Sequence, residues 1–145
     1  MITHAAAFDE LDLATLYGFL KLRSEVFIVE QNCPYLDLDG LDAHPGARHV
    51  WIEEKGEVVA YLRVLDIPDG SARIGRVCVS SGHRGRGLAD AIMAEALRVV
   101  GDRPCWLHAQ SQVSKLYERH GFTVSGPEFI EDDIPHLPMA RPSNH

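Results

Sequence analysis

The chain is short of positive charge, of cysteine and of long apolar runs, and each shortage excludes something. Fourteen Lys and Arg stand against 21 Asp and Glu in 145 residues, a formal net charge of −7. So acidic a chain lacks the broad basic surface that binds duplex nucleic acid, although a local basic patch for a small phosphorylated ligand remains compatible with it. Cys33, Cys78 and Cys105 are odd in number, widely spaced and without a Cys-x-x-Cys pair. That spacing suits a reducing compartment and argues against a secreted disulfide framework. Cys78, within Val77-Cys-Val79, reads as a small buried hydrophobe. The longest unbroken apolar run, Val58 to Leu62, covers five residues, against the roughly 20 needed to span a bilayer. The first residues offer neither the basic start nor the apolar core of a signal peptide. The expectation is a cytoplasmic protein with no membrane and no nucleic-acid partner.

What is present is an ordinary globular composition, 46% hydrophobic and 24% charged. One domain over 1–145 is expected, large enough to bury a core without disulfides or metals. Asp9 or Asp12 can cap a helix starting near Leu13. Leu13, Leu16, Tyr17, Leu20 and Phe27 recur near helical spacing and predict its buried stripe, with Lys21, Arg23, Glu25 and Glu30 as polar partners. Cys33-Pro34-Tyr35 ends it. An acidic irregular stretch follows, through Asp37, Asp39, Gly40 and Asp42 to His44-Pro45-Gly46, and connections that long are commonly functional or mobile.

Three strands, Arg48 to Glu53, Val58 to Leu65 and Ala72 to Val79, are separated by short turns and read as an antiparallel meander. A helix begins near Leu88, with Leu88, Ile92, Ala96 and Val100 at fourfold spacing, and Gly101 ends it. A strand over Cys105 to Gln110, a short helix over Val113 to His120 and strands over Phe122 to Ser125 and Ile134 to Arg141 complete the set. Pro135 and Pro138 restrict the last to an edge or a bulge, and 142–145 reads as a loose terminus. This order predicts an α/β protein with a mixed sheet and helices on its faces.

The informative segment is Val77-Cys-Val-Ser-Ser-Gly-His-Arg-Gly-Arg-Gly-Leu-Ala89, which runs from strand through a glycine-rich loop into a helix. Free amides at a helix N-terminus, with the positive end of its dipole, hold anionic oxygens. Gly85 and Gly87 let the backbone come close, and Arg84 and Arg86 add charge. A Walker loop needs Gly-Lys followed by Ser or Thr, which the chain lacks. A Rossmann fingerprint starting at Gly85 needs Gly or Ala at the position held by Asp90.

Arg84-x-x-Gly87-x-Ala89 resembles the Arg/Gln-x-x-Gly-x-Gly/Ala signature of the GCN5-related N-acetyltransferase (GNAT) superfamily, and the order of elements around it is similar over most of the chain. The resemblance implies a central, mostly antiparallel sheet with a V-shaped splay between the fourth and fifth strands and helices on both faces. It implies that Arg84, Gly85, Arg86, Gly87, Leu88 and Ala89 line the pyrophosphate of acetyl-coenzyme A, and that Arg76, Val77, Cys78 and Val79 run beside its pantetheine arm. Gln110 and Ser111 stand where this superfamily often has Asn. The stretch from Leu22 to Asp42 and the tail Glu131-Asp-Asp-Ile-Pro-His-Leu-Pro-Met139 resemble the ElaA-type subgroup. The first of these is also similar to acyl-homoserine lactone synthases.

Acyl transfer to an amine needs the amine deprotonated, the thioester carbonyl polarised and the leaving thiolate protonated. By the same resemblance the amide of Val79 or its neighbour, at a strand bulge, is the polariser. Tyr117, in Ser114-Lys-Leu-Tyr-Glu-Arg-His-Gly-Phe122, is the general acid. Glu30, Asp37, Asp39, His49 and His136 are all chemically able to act as the base. Arg23, Glu30, Asp37, Asp39 and His136 are candidates for the acceptor pocket, with an acidic rim suited to a cationic amine. Arg23 and the carboxylates would equally form an ion-paired clasp, and both readings stay open. His44 and His49 are five apart and Cys33 is solitary, so no metal is expected. The function implied is acetyl transfer to a small-molecule or peptide amine in a ternary complex, with a homodimer as the candidate assembly. A non-catalytic acyl-coenzyme A sensor is the alternative from another class. An acyl-homoserine lactone synthase is a further one, for which the chain is short.

Overall fold

In a computed structural model that describes residues 2–143, the three meander strands form close to their predicted bounds: β2 (Ala47–Glu54), β3 (Glu57–Asp66) and β4 (Ala72–Val79). The end of the expected loose tail lies outside the described residues. Before the meander come β1 (Thr3–Ala7), α1 (Leu13–Arg23) and a π-helical continuation, Ser24–Glu30. After it come α2 (Leu88–Val100), β5 (Cys105–Gln110), α3 (Ser114–Glu118), β6 (Thr123–Val124), β7 (Phe129–Glu131) and β8 (Ile134–Arg141). The strands form one sheet in the order β1-β2-β3-β4-β5-β8-β6, with β7 also on β8. Every pairing is antiparallel except β4 with β5, which are parallel and matched only at Ala72↔Cys105 and Arg73↔Trp106. Beyond those two pairs the strands part, which is the splay. No helix among the described residues is long and apolar enough to cross a membrane.

Side chains alternate between the two faces of a strand, and the sheet uses both. Val50, Ile52, Leu62, Ile74, Leu107 and Met139 face α2 and pack on Ile92 and Met93. Trp51, Tyr61 and Cys78 face α1 and pack on Phe19, Leu22, Val26 and Phe27. Burial raises the Cys78 thiol pKa, and all three cysteines are free.

Several expectations change. The Asp12 carboxylate caps α1 by accepting from the Thr15 amide at 2.7 Å. Yet Leu13 and Tyr17 are exposed, and the buried face is Thr15, Phe19, Leu22, Arg23 and Val26. The stripe misled because Arg23, a charged residue, occupies an inward position, and the π turn then re-aims the chain. β8 lies between β5 and the pieces β6 and β7, not at an edge. Pro138 is tolerated because the outer neighbour is broken there, and Pro135, opposite Ile130 of β7, precedes the first pair with β5 at His136. β7 matches residues up to His136 and β6 resumes at Met139, leaving Pro138 opposite the gap. β1 and β7 are strands beyond those expected. β7 reaches β8 through Asp132 and Asp133, both at positive φ (51° and 62°), as a two-residue hairpin turn of this kind requires.

Candidate active site

Where β4 and β5 separate, a cavity of about 690 Å³ opens. Its geometry begins with a bulge. Register shifts by one residue between Tyr61 and Arg63, so Arg76 and Val77 together oppose Leu62, and Arg76 takes φ 58°. A non-glycine residue in that region is strained. It is held there by its guanidinium, whose Nε donates to Asp37 Oδ1 at 2.8 Å while the group lies 5.5 Å from the Tyr35 ring centre. Bulges bend and twist a strand, and this one sits where β5 leaves.

Three residues further on, the Ser80 amide donates to the Val59 carbonyl at 2.8 Å, so by antiparallel alternation the neighbouring pair Ala60↔Val79 is not hydrogen-bonded. The Val79 N–H is therefore turned away from β3, toward the cavity that Val79 lines. The Val79 carbonyl accepts from Arg84 Nε at 3.1 Å.

At one end of the cavity α2 begins. Its N-cap is Gly87, at φ 77°, and no side chain caps the first-turn amides of Leu88, Ala89 and Asp90. Gly85 has φ 78°, and a Cβ built on either glycine would meet no atom within 4 Å. An open, positively polarised cradle of this kind fits an anionic group such as a pyrophosphate. Its arginines are already engaged. Arg84 makes a two-pronged pair with Glu30 at 2.6 and 2.8 Å, and Arg86 another with Glu54 at 2.9 and 2.5 Å. Arg84, Gly85, Gly87, Leu88 and Ala89 line the cavity together with Arg76, Val77 and Cys78, whereas Arg86 stands off it.

The cavity is also lined by Tyr117, which is 6% exposed and packs edge-on against Phe122 with ring centres 6.4 Å apart. Burial raises its phenol well above the ordinary value, so the group keeps its proton. Gln110 pairs with Gln31 by reciprocal amide bonds of 3.2 and 3.4 Å, tying β5 to the segment after the π turn.

The proposed acceptor residues separate. Glu30 and His136 line the cavity, Glu30 beside the glycine-rich loop. Arg23, Asp37 and Asp39 do not: they belong to a buried clasp. Arg23 donates to Asp37 (3.0 Å to Oδ2 and 2.8 Å to its carbonyl) and to Asp42 (2.7 Å). Arg63 donates to Asp39 (2.8 and 2.9 Å) and Asp42 (3.1 Å), and Arg76 completes the group. The acidic rim expected around the acceptor is thus matched by three arginines. His49 is also sequestered, stacked on Phe19 and bonded to the Tyr61 hydroxyl (2.6 Å) and the Asp42 carbonyl (2.9 Å); burial lowers its pKa.

The clasp predicts acid lability. Burial alone would raise the Asp39 carboxyl, but hydrogen bonds from Arg63 and the Leu41 amide, with the charges of Arg63 and Arg76, overcome it and hold the pKa at about 2, below the ordinary 3.8. A depressed folded-state pKa contributes stability that is present above the unfolded value and lost as pH falls through the folded one. The free energy of urea unfolding should therefore fall from about pH 4 toward 2, and Asp39→Asn should flatten that segment. An equally steep decline in the variant would contradict the assignment.

Sequence reasoning missed Arg73, His108 and Glu131, which also line the cavity. Alternation along β5, which sends Cys105, Leu107 and Ala109 to the core, was the signal that would have set Trp106, His108 and Gln110 on the opposite face.

A family model described as acetyltransferase (GNAT) domain matches residues 29–142. A UPF0039 protein of Mycobacterium tuberculosis is 45% identical over 139 residues, covering 93% of this chain and 89% of the relative. Protein ElaA of Escherichia coli is 40% identical over 139 residues (92% and 91%), and its crystal structure superposes with a TM-score of 0.92 at 37% identity, covering 97% of this chain and 99% of the other. An acyl-CoA N-acyltransferase from Pseudomonas aeruginosa superposes with a TM-score of 0.91 at 39% identity and the same coverage.

Proposed function

Because the chain belongs to the GNAT acetyltransferase family, we propose that it moves an acetyl group from acetyl-coenzyme A directly to an amine held in the β4–β5 cleft. The observation that carries this reading is the alignment along one cavity of an uncapped, glycine-cradled helix N-terminus, the inward-turned Val79 amide and the buried Tyr117 phenol. When bound, acetyl-coenzyme A supplies a thioester carbonyl and a thiol leaving group. The amides from Gly85 to Ala89 bind phosphate oxygens. The Val79 N–H donates to the oxygen on which charge develops, and Tyr117 holds the proton that the departing sulfur needs.

Direct transfer is favoured over a thiol intermediate. Cys78 is buried, and the Cys33 thiol donates to the Asp132 carbonyl at 2.8 Å while burial raises its pKa. Of the candidate bases, His136 has suitable geometry. Its Nδ1 donates to the Ile134 carbonyl at 2.7 Å, which leaves the Nε2 lone pair to take a proton from the acceptor amine. The acceptor is a small-molecule or peptide amine.

Acetyl-coenzyme A should stabilise the fold by mass action, about 2.7 kcal/mol at a hundredfold excess over Kd, or roughly 5–10 °C in Tm for a chain of this size. Gly87→Val, which forces a β-branched side chain into the left-handed region and into the cradle, should abolish most of that shift. A wild-type protein whose Tm does not move at saturating acetyl-coenzyme A would end this reading. An acceptor screen that follows thiol release separates an enzyme from a sensor.

A further inference from the structure

We infer that the amine acetylated in this cleft carries a carboxylate beside it, as a free amino acid does, and that Arg73 is the residue that binds the carboxylate. The inference rests on the acyl-transfer reading above and names the substrate class for the same site.

Arg73 enters β4 just before the bulge and lines the cavity. Its guanidinium lies over the Trp106 ring, 4.9 Å from the centre, and Nη2 is 3.5 Å from His108 Nδ1. Among the described residues it has no carboxylate within ion-pairing distance, whereas Arg76, Arg84 and Arg119, which line the same cavity, each hold at least one. Burial pulls the Arg73 pKa down, while the hydrogen bond with Glu30 raises that of Arg84. A half-buried guanidinium that feels the charge of Glu131 only at a distance, with no carboxylate in contact, is costly, and its flat fork of donors matches the two oxygens of a carboxylate.

The surroundings supply the other half of a zwitterion. Glu131 Oε1 lies 3.5 Å from the same His108 Nδ1, and its Oε2 lies 3.7 Å from His136 Nε2. A cation site and an anion site therefore flank one imidazole, and the lone pair assigned above as the base stands beside the anion site. A carboxylate on Arg73 would leave a neighbouring ammonium between Glu131 and His136. A diamine would set a second cation near Arg73 without compensation, and a lysine side chain would leave Arg73 without an anion.

The test uses the full chain with acetyl-coenzyme A and follows thiol release with free amino acids, their amides and their decarboxylated amines. The best amino acid should exceed its own amide in kcat/KM by about tenfold to a hundredfold, the effect of one charge-assisted pair. Arg73→Met should bring that ratio close to one and Arg73→Lys should retain part of it, while the thermal shift with acetyl-coenzyme A persists in both. Amides or simple amines turned over as well as the acids, or an unchanged ratio in Arg73→Met, would overturn the inference. If no acceptor is turned over, coenzyme A-saturated protein is titrated with the same amino acids while Trp106 emission is followed. Binding that Arg73→Met weakens at least tenfold supports the assignment, and no binding overturns it. Loss of the acetyl-coenzyme A shift in the wild type removes the acyl-transfer reading instead.

Discussion

Arg23→Met should destabilise the protein by about 3–5 kcal/mol, the usual cost of removing one partner from a buried ion-pair network. Arg23 is 0% exposed, and its guanidinium spans Asp37 and Asp42, which are 8% and 9% exposed. Methionine fills much of the vacated volume, so the cavity contribution is small and electrostatics dominate. Three arginines balance three aspartates in the wild type; the variant leaves one buried negative charge in excess. At 2–4 °C per kcal/mol for a chain of this size, Tm should fall by roughly 6–20 °C. Asp42→Asn in the same background should recover part of the loss, because it restores the charge balance. A loss below about 1 kcal/mol would mean that the clasp is solvated and carries little. The same variant should raise KM for the acceptor more than Kd for acetyl-coenzyme A. Asp37 ties the clasp to Arg76 and the β4 bulge, whereas the glycine-rich loop is anchored separately through Glu30 and Glu54.

Tyr117→Phe should lower kcat by about a hundredfold or more, within the range that a positioned proton donor supplies, and leave the fold intact. Its ring packs on Phe122 and the core around α2, contacts that phenylalanine keeps. Among the described residues its hydroxyl has no hydrogen-bond partner to lose. The thermal shift with acetyl-coenzyme A should therefore match that of the wild type while thiol release collapses. Unchanged kcat would remove Tyr117 from the chemistry and leave proton delivery to water.

The parts legible in the sequence were those set by local rules. Gly85 and Gly87 marked a loop that needs positive φ before a helix, and the fourfold spacing from Leu88 to Val100 marked the helix itself. Ala72–Val79, Cys105–Gln110 and Ile134–Arg141 formed with the predicted bounds, because turn residues and apolar content bracket them. Non-local partners were not legible. For Arg23 the sequence left an acceptor pocket and an ion-paired clasp equally open, and only the fold, which sets its guanidinium against Asp37 and Asp42, decides for the clasp. Pro138 of β8 looked like the mark of an edge because the break between β6 and β7 is visible only in three dimensions.

By itself the sequence determined a negative chain with a local cationic loop, a mixed α/β order and a glycine-cradled helix start. These depend on neighbours along the chain, whose conformational preferences act over a few residues. Only the tertiary structure decided where the charges went. It neutralised Asp37, Asp39 and Asp42 against Arg23, Arg63 and Arg76, and drew Glu30 to Arg84. It also brought Arg73, His108, Glu131 and His136, from four strands, onto one face of the opened sheet. Charge pairing depends on distance through space, and in this protein that distance is set by the bulge in β4 and the departure of β5.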